Sequence, residues 1–196
     1  MITQKINRIV KHIPNCITGL NMMLGLSVLF VNISQIGKNY LFTSCIMILI
    51  AVLLDSIDGK VARRLNAVSS LGKQLDSFAD FVSFGIAPVA ILLTHEHFRK
   101  MGLVVYVSVA LYAIAGAFRL ARYNIGDYKD FFEVLPITAA GCILICLDII
   151  LHFTRLAEND IVVFIMTVVV LILAVMMISK IKVYRFGERK KEKVKA

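Results

Sequence analysis

Charged residues are scarce in this chain, and their scarcity excludes several classes of protein. Asp, Glu, Lys and Arg make up 18% of the 196 residues, whereas apolar residues make up 59%. Soluble domains carry about 25% charged and 45–50% apolar residues, and disordered chains are poorer still in apolar residues. Basic residues outnumber acidic ones, 22 against 13, which by itself would suit a nucleic-acid binder. A chain this apolar, however, is not expected to be a soluble nucleic-acid binder. The composition predicts a membrane protein with several spans and no nucleic-acid partner.

Cysteine is also rare, and its placement does not suggest a disulfide framework. All four cysteines lie within apolar runs of the sequence: Cys16, Cys45, Cys142 and Cys146. Secreted disulfide scaffolds are instead short and rich in cysteine. The last two share a helix face, but without a nearby His or further Cys they are expected to pack rather than bind metal.

Long uncharged runs are what the sequence has in abundance. They cover residues 12–37, 39–54, 81–94, 101–118, 134–154 and 161–179, and the fifth is interrupted only by Asp148, which we expect to form a structural hydrogen bond. A membrane-spanning helix needs about 20 apolar residues, so the second and third runs reach full length only by including the acids beside them. The sequence therefore predicts an all-α integral membrane protein with six transmembrane helices.

The basic residues divide unevenly between the two sides of the membrane. With six spans, 18 of the 22 fall on one side, in the N-terminal segment, the loops after the second and fourth runs, and the C-terminal tail. The other side holds Lys38, Arg99, Lys100 and Arg155. Because basic residues accumulate in cytoplasmic loops, both termini and the loop after the second run are expected in the cytoplasm.

The two ends of the chain have their own patterns. Apolar residues recur at helical spacing between the bases of residues 1–13, which is typical of a short amphipathic helix lying in the membrane interface. Residues 185–196 read as a basic cytoplasmic tail. With no internal repeat, residues 1–196 are expected to form one membrane domain.

Four acids gather in one short segment, 55–80, which reads DSIDGKVARRLNAVSSLGKQLDSFAD. Asp55 and Asp58 are three residues apart, and Asp76 and Asp80 are four apart, so each pair lies on one face of a helix. The polar stretch between the pairs allows the two helices to turn and pack antiparallel. All four carboxylates are then expected to converge at one edge of the membrane.

Inserting a charged Asp at the centre of a membrane-spanning helix costs about 2.5–3.5 kcal/mol. Neighbouring carboxylates also repel one another, so four of them packed together near hydrocarbon are unfavourable. Divalent cations remove both costs, and oxygen-only ligands select Mg²⁺, Mn²⁺ or Ca²⁺. Four carboxylates suit a two-cation site of the kind that recurs in phosphoryl chemistry. The competing interpretation is that they form surface salt bridges with Lys60, Arg63, Arg64 and Lys73.

The same segment resembles the signature of the CDP-alcohol phosphotransferases. The matching residues, in the same spacing, are Asp55, Asp58, Gly59, Ala62, Arg63, Gly72, Asp76 and Asp80. Six spans with cytoplasmic termini also agree with that family. The resemblance implies transfer of a phosphatidyl-type group from a CDP-linked lipid to an alcohol, with release of CMP. Homodimers are common in the family, so a homodimer is a possible assembly.

The resemblance also implies roles for individual residues. Asp55, Asp58, Asp76 and Asp80 match the ligands of two divalent cations, Mg²⁺ or Mn²⁺, and Asp80 matches the general base that accepts the proton of the acceptor hydroxyl. The residues expected to bind the CDP group are Asn15, Thr18, Asp58, Gly59, Ala62, Arg63, Gly72 and Lys73.

Further segments are similar to the phosphatidylserine synthase branch of that family, which implies L-serine as the acceptor and a CDP-linked ester or ether lipid as the donor. They are Pro14-Asn15 with Thr18, Asn21 and Gly25; the residues around Asp76 and Asp80; and RLARYN at 119–124. Arg119, Arg122 and Asn124 are accordingly the candidate acceptor-binding residues. The segment FEVLPITAAG at 132–141 departs from the branch, because Val134 stands where glycine is usual.

Two other functions use the same residues. Glycerol 3-phosphate or inositol phosphate is the alternative acceptor, although a phosphorylated alcohol calls for more basic residues than Arg119 and Arg122. A divalent-cation transporter is the remaining alternative. It requires a polar path across the bilayer, whereas the halves of the second and third runs away from the acids are almost wholly apolar.

Overall fold

The protein is described from a computed structural model, in which residues 13–65, 67–125 and 135–179 are described. Within them every regular element is helical, and six helices are long and apolar enough to cross a membrane. The elements are α1 (Ile13–Ser34), α2 (Tyr40–Arg64), α3 (Ser70–Asp80), a π-helical segment (Phe81–Ile86), α4 (Ala87–Leu92), α5 (Glu96–Lys100), α6 (Leu103–Ile125), α7 (Ile137–Thr154), a 3₁₀ turn (Leu156–Glu158) and α8 (Asp160–Ile178).

The predicted all-α, multi-pass architecture is confirmed. Two helices extend further than the uncharged runs indicate: α2 continues beyond Asp55 to Arg64, and the third span begins at Ser70, ten residues before Asp80. Ser69 caps the third span, because its Oγ accepts a hydrogen bond of 3.0 Å from the Gly72 amide. The interfacial helix at 1–13 lies almost wholly outside the described residues, and the tail at 185–196 entirely so; both stay predictions.

The first two spans form an antiparallel pair held by polar contacts at both ends. Thr18 Oγ1 donates to Asp58 Oδ2 at 2.9 Å, and Asn32 Nδ2 donates to Ser44 Oγ at 2.7 Å. The contact face of α1 also carries Gly25, where an added Cβ would lie 2.9 Å from the Cα of Ser83 in the third span. This face of α1 therefore packs against both α2 and the π-helical segment.

The third span changes from α to π hydrogen bonding directly after Asp80. In an α-helix the Phe84 carbonyl would pair with the amide of residue 88, but Pro88 has no N–H. Tyr112 of α6, which is fully buried, supplies the missing donor through its hydroxyl, 3.0 Å from Phe84 O. A backbone group that would be orphaned in the membrane interior is thus satisfied by a neighbouring helix.

A second polar contact closes the end of the bundle opposite the acidic segment. His95 Nε2 lies 2.8 Å from Asp148 Oδ1, and Cys45 Sγ donates to the other Asp148 oxygen at 3.8 Å. Asp148 is 1% exposed, so this contact is the structural hydrogen bond that the sequence predicts for it. It ties α2, α7 and the loop before α5 together.

Large apolar side chains cover the outside of the bundle. They include Phe30, Leu53, Ile114, Phe153 and Val175, each more than half exposed. In water such a surface would aggregate, whereas in a bilayer it faces lipid chains of similar polarity. The exposed residues thus support the membrane assignment independently of helix length.

Candidate active site

The acids of the 55–80 segment come together where α2 and α3 meet. Single carboxylate oxygens of Asp55, Asp76 and Asp80 all lie within 4.8 Å of one another. Asp58 stands outside this group of three. It is 4% exposed and accepts the hydrogen bond of Thr18, and it lines the same cavity as Asp76. The convergence predicted from helical spacing is therefore present, with three acids in one cluster and the fourth beside it.

The salt-bridge interpretation of these acids is wrong for the part of the chain that the structure describes. None of the four aspartates there forms an ion pair with Lys60, Arg63, Arg64 or Lys73. Arg63 Nε instead donates to the Gly59 carbonyl at 3.0 Å, and Lys73 Nζ lies 3.4 Å from the Tyr123 carbonyl. Within the described residues, none of these four bases therefore neutralises the carboxylates.

The chemistry of the cluster fits a hard divalent cation. Its donors are carboxylate oxygens alone, the donor set that Mg²⁺, Mn²⁺ and Ca²⁺ prefer. Asp80 Oδ1 is buried and lacks a hydrogen-bond partner within the described residues, which is costly for a carboxylate unless another group compensates. Three carboxylates whose oxygens lie within 4.8 Å of one another are an arrangement that a bound cation would stabilise.

A cavity of about 380 Å³ opens beside the acids, between α1, α2, α3 and the end of α6. All eight residues expected to bind the CDP group line it: Asn15, Thr18, Asp58, Gly59, Ala62, Arg63, Gly72 and Lys73. Its volume lies within the usual range for small-molecule sites. The structure thus brings the predicted nucleotide-binding residues of α1, α2 and α3 together around one space.

The two glycines of this cavity differ in their surroundings. A Cβ at Gly59 would meet nothing within 4 Å, so this position leaves the backbone open to a ligand. A Cβ at Gly72 would lie 3.0 Å from both Asn15 Oδ1 and Ser69 Oγ. A side chain at position 72 would therefore crowd both Asn15 of α1 and the Ser69 cap, so glycine here permits the close packing of α1 against the start of α3.

Tyr123 also lines the cavity, although no motif in the sequence indicates a role for it. Lys73 lies over its ring, with the Nζ 5.1 Å from the ring centroid. Sequence spacing gives no signal for this contact, since 50 residues separate the two positions. The nearest clue is that Tyr123 adjoins Arg122 in the RLARYN segment.

The candidate acceptor-binding residues are not in this cavity. Asn124 Nδ2 donates to Ser77 Oγ at 2.8 Å and to Gln74 Oε1 at 3.2 Å, on a different face of α3 from Asp76 and Asp80. Arg122 donates to the Ile178 carbonyl at the end of α8, 3.2 Å away. Arg119 lies one turn before Tyr123 on α6. All three lie in the last two turns of α6, and none of them lines this cavity.

The sequence matches a known family over most of its length. Residues 11–180 match the family model described as CDP-alcohol phosphatidyltransferase. The chain is 35% identical over 186 residues to a Bacillus subtilis (strain 168) protein named CDP-diacylglycerol–serine O-phosphatidyltransferase, covering 94% of this chain and 97% of that protein. Proteins of the same name from Methanocaldococcus jannaschii and Helicobacter pylori (strain 26695) are 32% and 31% identical, each over 90% of this chain and over 76% and 73% of their own lengths. The fold, the acidic cluster and these matches together place the chain in the CDP-alcohol phosphatidyltransferase family.

Proposed function

We propose that this membrane enzyme transfers the phosphatidyl group of CDP-diacylglycerol, or of an ether-lipid analogue, to the hydroxyl of L-serine and releases CMP. The observation that carries the proposal is the cavity lined by all eight predicted nucleotide-binding residues, directly beside the clustered acids. The relatives named for this reaction support serine as the acceptor. Family membership argues against the transporter alternative.

The donor substrate is expected to bind with its nucleotide in the 380 Å³ cavity and its acyl chains toward the lipid. Gly59 admits the nucleotide close to the α2 backbone. Arg63 and Lys73 are cationic, line the cavity and are not engaged by the four acids, so they are available to contact phosphate oxygens. The diphosphate then lies next to Asp58 and Asp76.

The four aspartates are the proposed ligands of two divalent cations, Mg²⁺ or Mn²⁺. Bound there, the cations supply charge neutralisation at the diphosphate and at the departing CMP. Asp80 is the proposed general base. Its carboxylate accepts the hydroxyl proton of serine as the serine oxygen forms a bond to the lipid-side phosphorus. The bond from that phosphorus to the oxygen of CMP breaks, and CMP leaves with the electron pair.

Arg119, Arg122 and Asn124 are the proposed acceptor-binding residues. They lie at the C-terminal end of α6, where Asn124 contacts Ser77 of α3, so we expect the serine to approach from that side of α3. Glycerol 3-phosphate and inositol phosphate stay alternatives, to be separated by assay. We also propose that the acidic end and both termini face the cytoplasm, as the distribution of basic residues indicates, and that the protein forms a homodimer.

The test is release of CMP by purified protein supplied with CDP-diacylglycerol and Mn²⁺ or Mg²⁺. Serine, glycerol 3-phosphate and inositol phosphate are compared in parallel. Serine-dependent CMP release supports the proposal, whereas activity with a phosphorylated acceptor alone transfers it to the second candidate. Failure of all three acceptors would refute the enzyme assignment of the site.

Asp80→Asn separates the role of the base from binding. We expect turnover to fall at least about 100-fold, the lower range for general-base catalysis, while CDP-diacylglycerol still binds. Asp160→Asn is the matched control, because Asp160 is exposed at the opposite end of the bundle, where it contacts His97. Near-normal turnover of Asp80→Asn, or an equal loss in the control, would remove Asp80 from this role.

A further inference from the structure

Asn21 is the buried polar residue that the proposed reaction leaves unexplained. It is 0% exposed, and neither its Nδ2 nor its Oδ1 has a hydrogen-bond partner within the described residues. Buried side-chain amides are normally paired, and an unmade pair costs free energy. A carboxamide with both ends unpaired inside a membrane domain therefore calls for a function that offsets its cost.

The contacts of α1 place Asn21 beside the acidic cluster. Thr18 of α1 pairs with Asp58 of α2. Because the two helices are antiparallel, Asn21, three residues after Thr18, lies opposite Asp55, three residues before Asp58. On the other side, Ser83 Oγ donates to the Asn21 carbonyl at 3.0 Å, and Ser83 follows Asp80 by three residues on the third span. Asn21 thus sits between the turns that carry Asp55 and Asp80.

A complementary unpaired group belongs to Asp80. Its Oδ1 is buried and has no hydrogen-bond partner in the described part of the chain. Asn21 offers an unpaired donor, Nδ2, and Asp80 offers an unpaired acceptor. The Ser83 contact ties the Asn21 backbone to the span that carries Asp80. Such a donor fixes the plane of a carboxylate, which decides where its second oxygen points.

We propose that Asn21 is a positioning residue for Asp80, donating from Nδ2 to Asp80 Oδ1 when divalent cations occupy the acidic cluster. The hydrogen bond holds the second Asp80 oxygen toward Asp55 and Asp76, where the ligands gather. The inference rests on the proposed function of this site. It goes beyond that function by assigning the orientation of the cluster to a residue outside the acidic segment.

Asn32 provides a matched comparison on the same face of the same helix. It is also buried, at 5% exposure, but its Nδ2 donates to Ser44 Oγ and to the Val28 carbonyl, both at 2.7 Å. It lies toward the opposite end of α1 from the acids. Asn32 therefore has a structural role in the absence of any ligand, whereas Asn21 is expected to pair with Asp80 only when the cations are bound.

The test compares Asn21→Leu with Asn32→Leu in the purified full chain. Mn²⁺ affinity is measured by electron paramagnetic resonance, and the midpoint of thermal unfolding is measured without metal. We expect Asn21→Leu to bind Mn²⁺ 10- to 100-fold more weakly, the usual effect of losing a group that orients a metal ligand. Its midpoint without metal should equal or exceed that of the parent, because two unpaired buried atoms are removed. Asn32→Leu should lower the midpoint and leave Mn²⁺ affinity unchanged.

Parental Mn²⁺ affinity in Asn21→Leu, a lowered midpoint in that variant, or an equal loss of affinity in both variants would overturn the inference. If Asn21→Leu cannot be purified in a folded form, Asn21→Ala replaces it, with the same criterion for Mn²⁺ affinity. Mn²⁺ binding is read without turnover, so the two proposals fail separately. Parent protein that binds Mn²⁺ but releases no CMP would refute the proposed function alone.

Discussion

The Tyr112 hydroxyl donates a hydrogen bond to the Phe84 carbonyl of the π-helical segment, and Tyr112→Phe removes that hydroxyl alone. The ring stays, so packing of the buried side chain is preserved. The Phe84 carbonyl loses its partner at 3.0 Å, and Pro88 has no N–H to replace it. A buried polar group left unpaired costs about 1–3 kcal/mol. A loss of about 2 kcal/mol in the free energy of unfolding lowers the thermal midpoint of a chain of this size by about 4–8 °C.

Circular dichroism of the detergent-purified protein at 222 nm measures this midpoint, because nearly all regular structure in the described residues is helical. Tyr106→Phe is the matched control. Tyr106 lies on the same helix, but it is 46% exposed on the outside of the bundle. We expect the control to change the stability by less than about 0.5 kcal/mol, as is usual for surface positions, and therefore to shift the midpoint by no more than about 1–2 °C. Equal midpoints for Tyr112→Phe and the parent, or equal losses in both variants, would show that the hydroxyl does not stabilise the segment.

Two further predictions concern the close packing at Gly141 and the polar pair of His95 and Asp148. Gly141→Ala should destabilise by about 1–3 kcal/mol, because its Cβ would lie 2.9 Å from the Phe84 carbonyl oxygen, and backbone cannot move aside as a side chain can. Gly19→Ala, whose Cβ meets nothing within 4 Å, should leave the midpoint unchanged or raise it slightly; equal losses would refute the steric argument. His95→Leu should destabilise by about 1.5–3 kcal/mol, because Asp148 loses its partner at 2.8 Å. Double substitution with Asp148→Leu should recover part of that loss, and no recovery would contradict the pairing.

Much of the site could be predicted because it depends on short spacings within two helices. Acids three or four residues apart share a helix face whatever the rest of the fold does, so Asp55 and Asp58, and Asp76 and Asp80, could be grouped from the sequence. Apolar run length likewise predicts spans, since the bilayer sets the length of a helix. The helix ends were less predictable, because α2 and α3 continue past the apolar runs into polar residues that hydropathy does not assign to a span.

The contacts made between distant segments could not be predicted in the same way. Tyr123 meets Lys73, and Tyr112 meets Phe84, across separations that carry no periodic signal. The Phe84 carbonyl lacks an α-helical partner because of Pro88 and accepts a donor from another span instead, so neither Pro88 nor Tyr112 alone predicts the contact. Asn21 was visible as a polar residue in an apolar run, but its unpaired state appears only when the packing of its neighbours is known.

The π-helical segment also sets the direction of the side chains that follow it. A π turn holds one more residue than an α turn. Each residue of an α-helix advances the side chains by about 100°, since a turn holds 3.6 residues. Without the extra residue, the side chains after the π turn would therefore be rotated by about 100° relative to Asp76 and Asp80. The π turn thus lets one span direct Asp80 toward the other acids and Phe84 toward Gly141 and Tyr112.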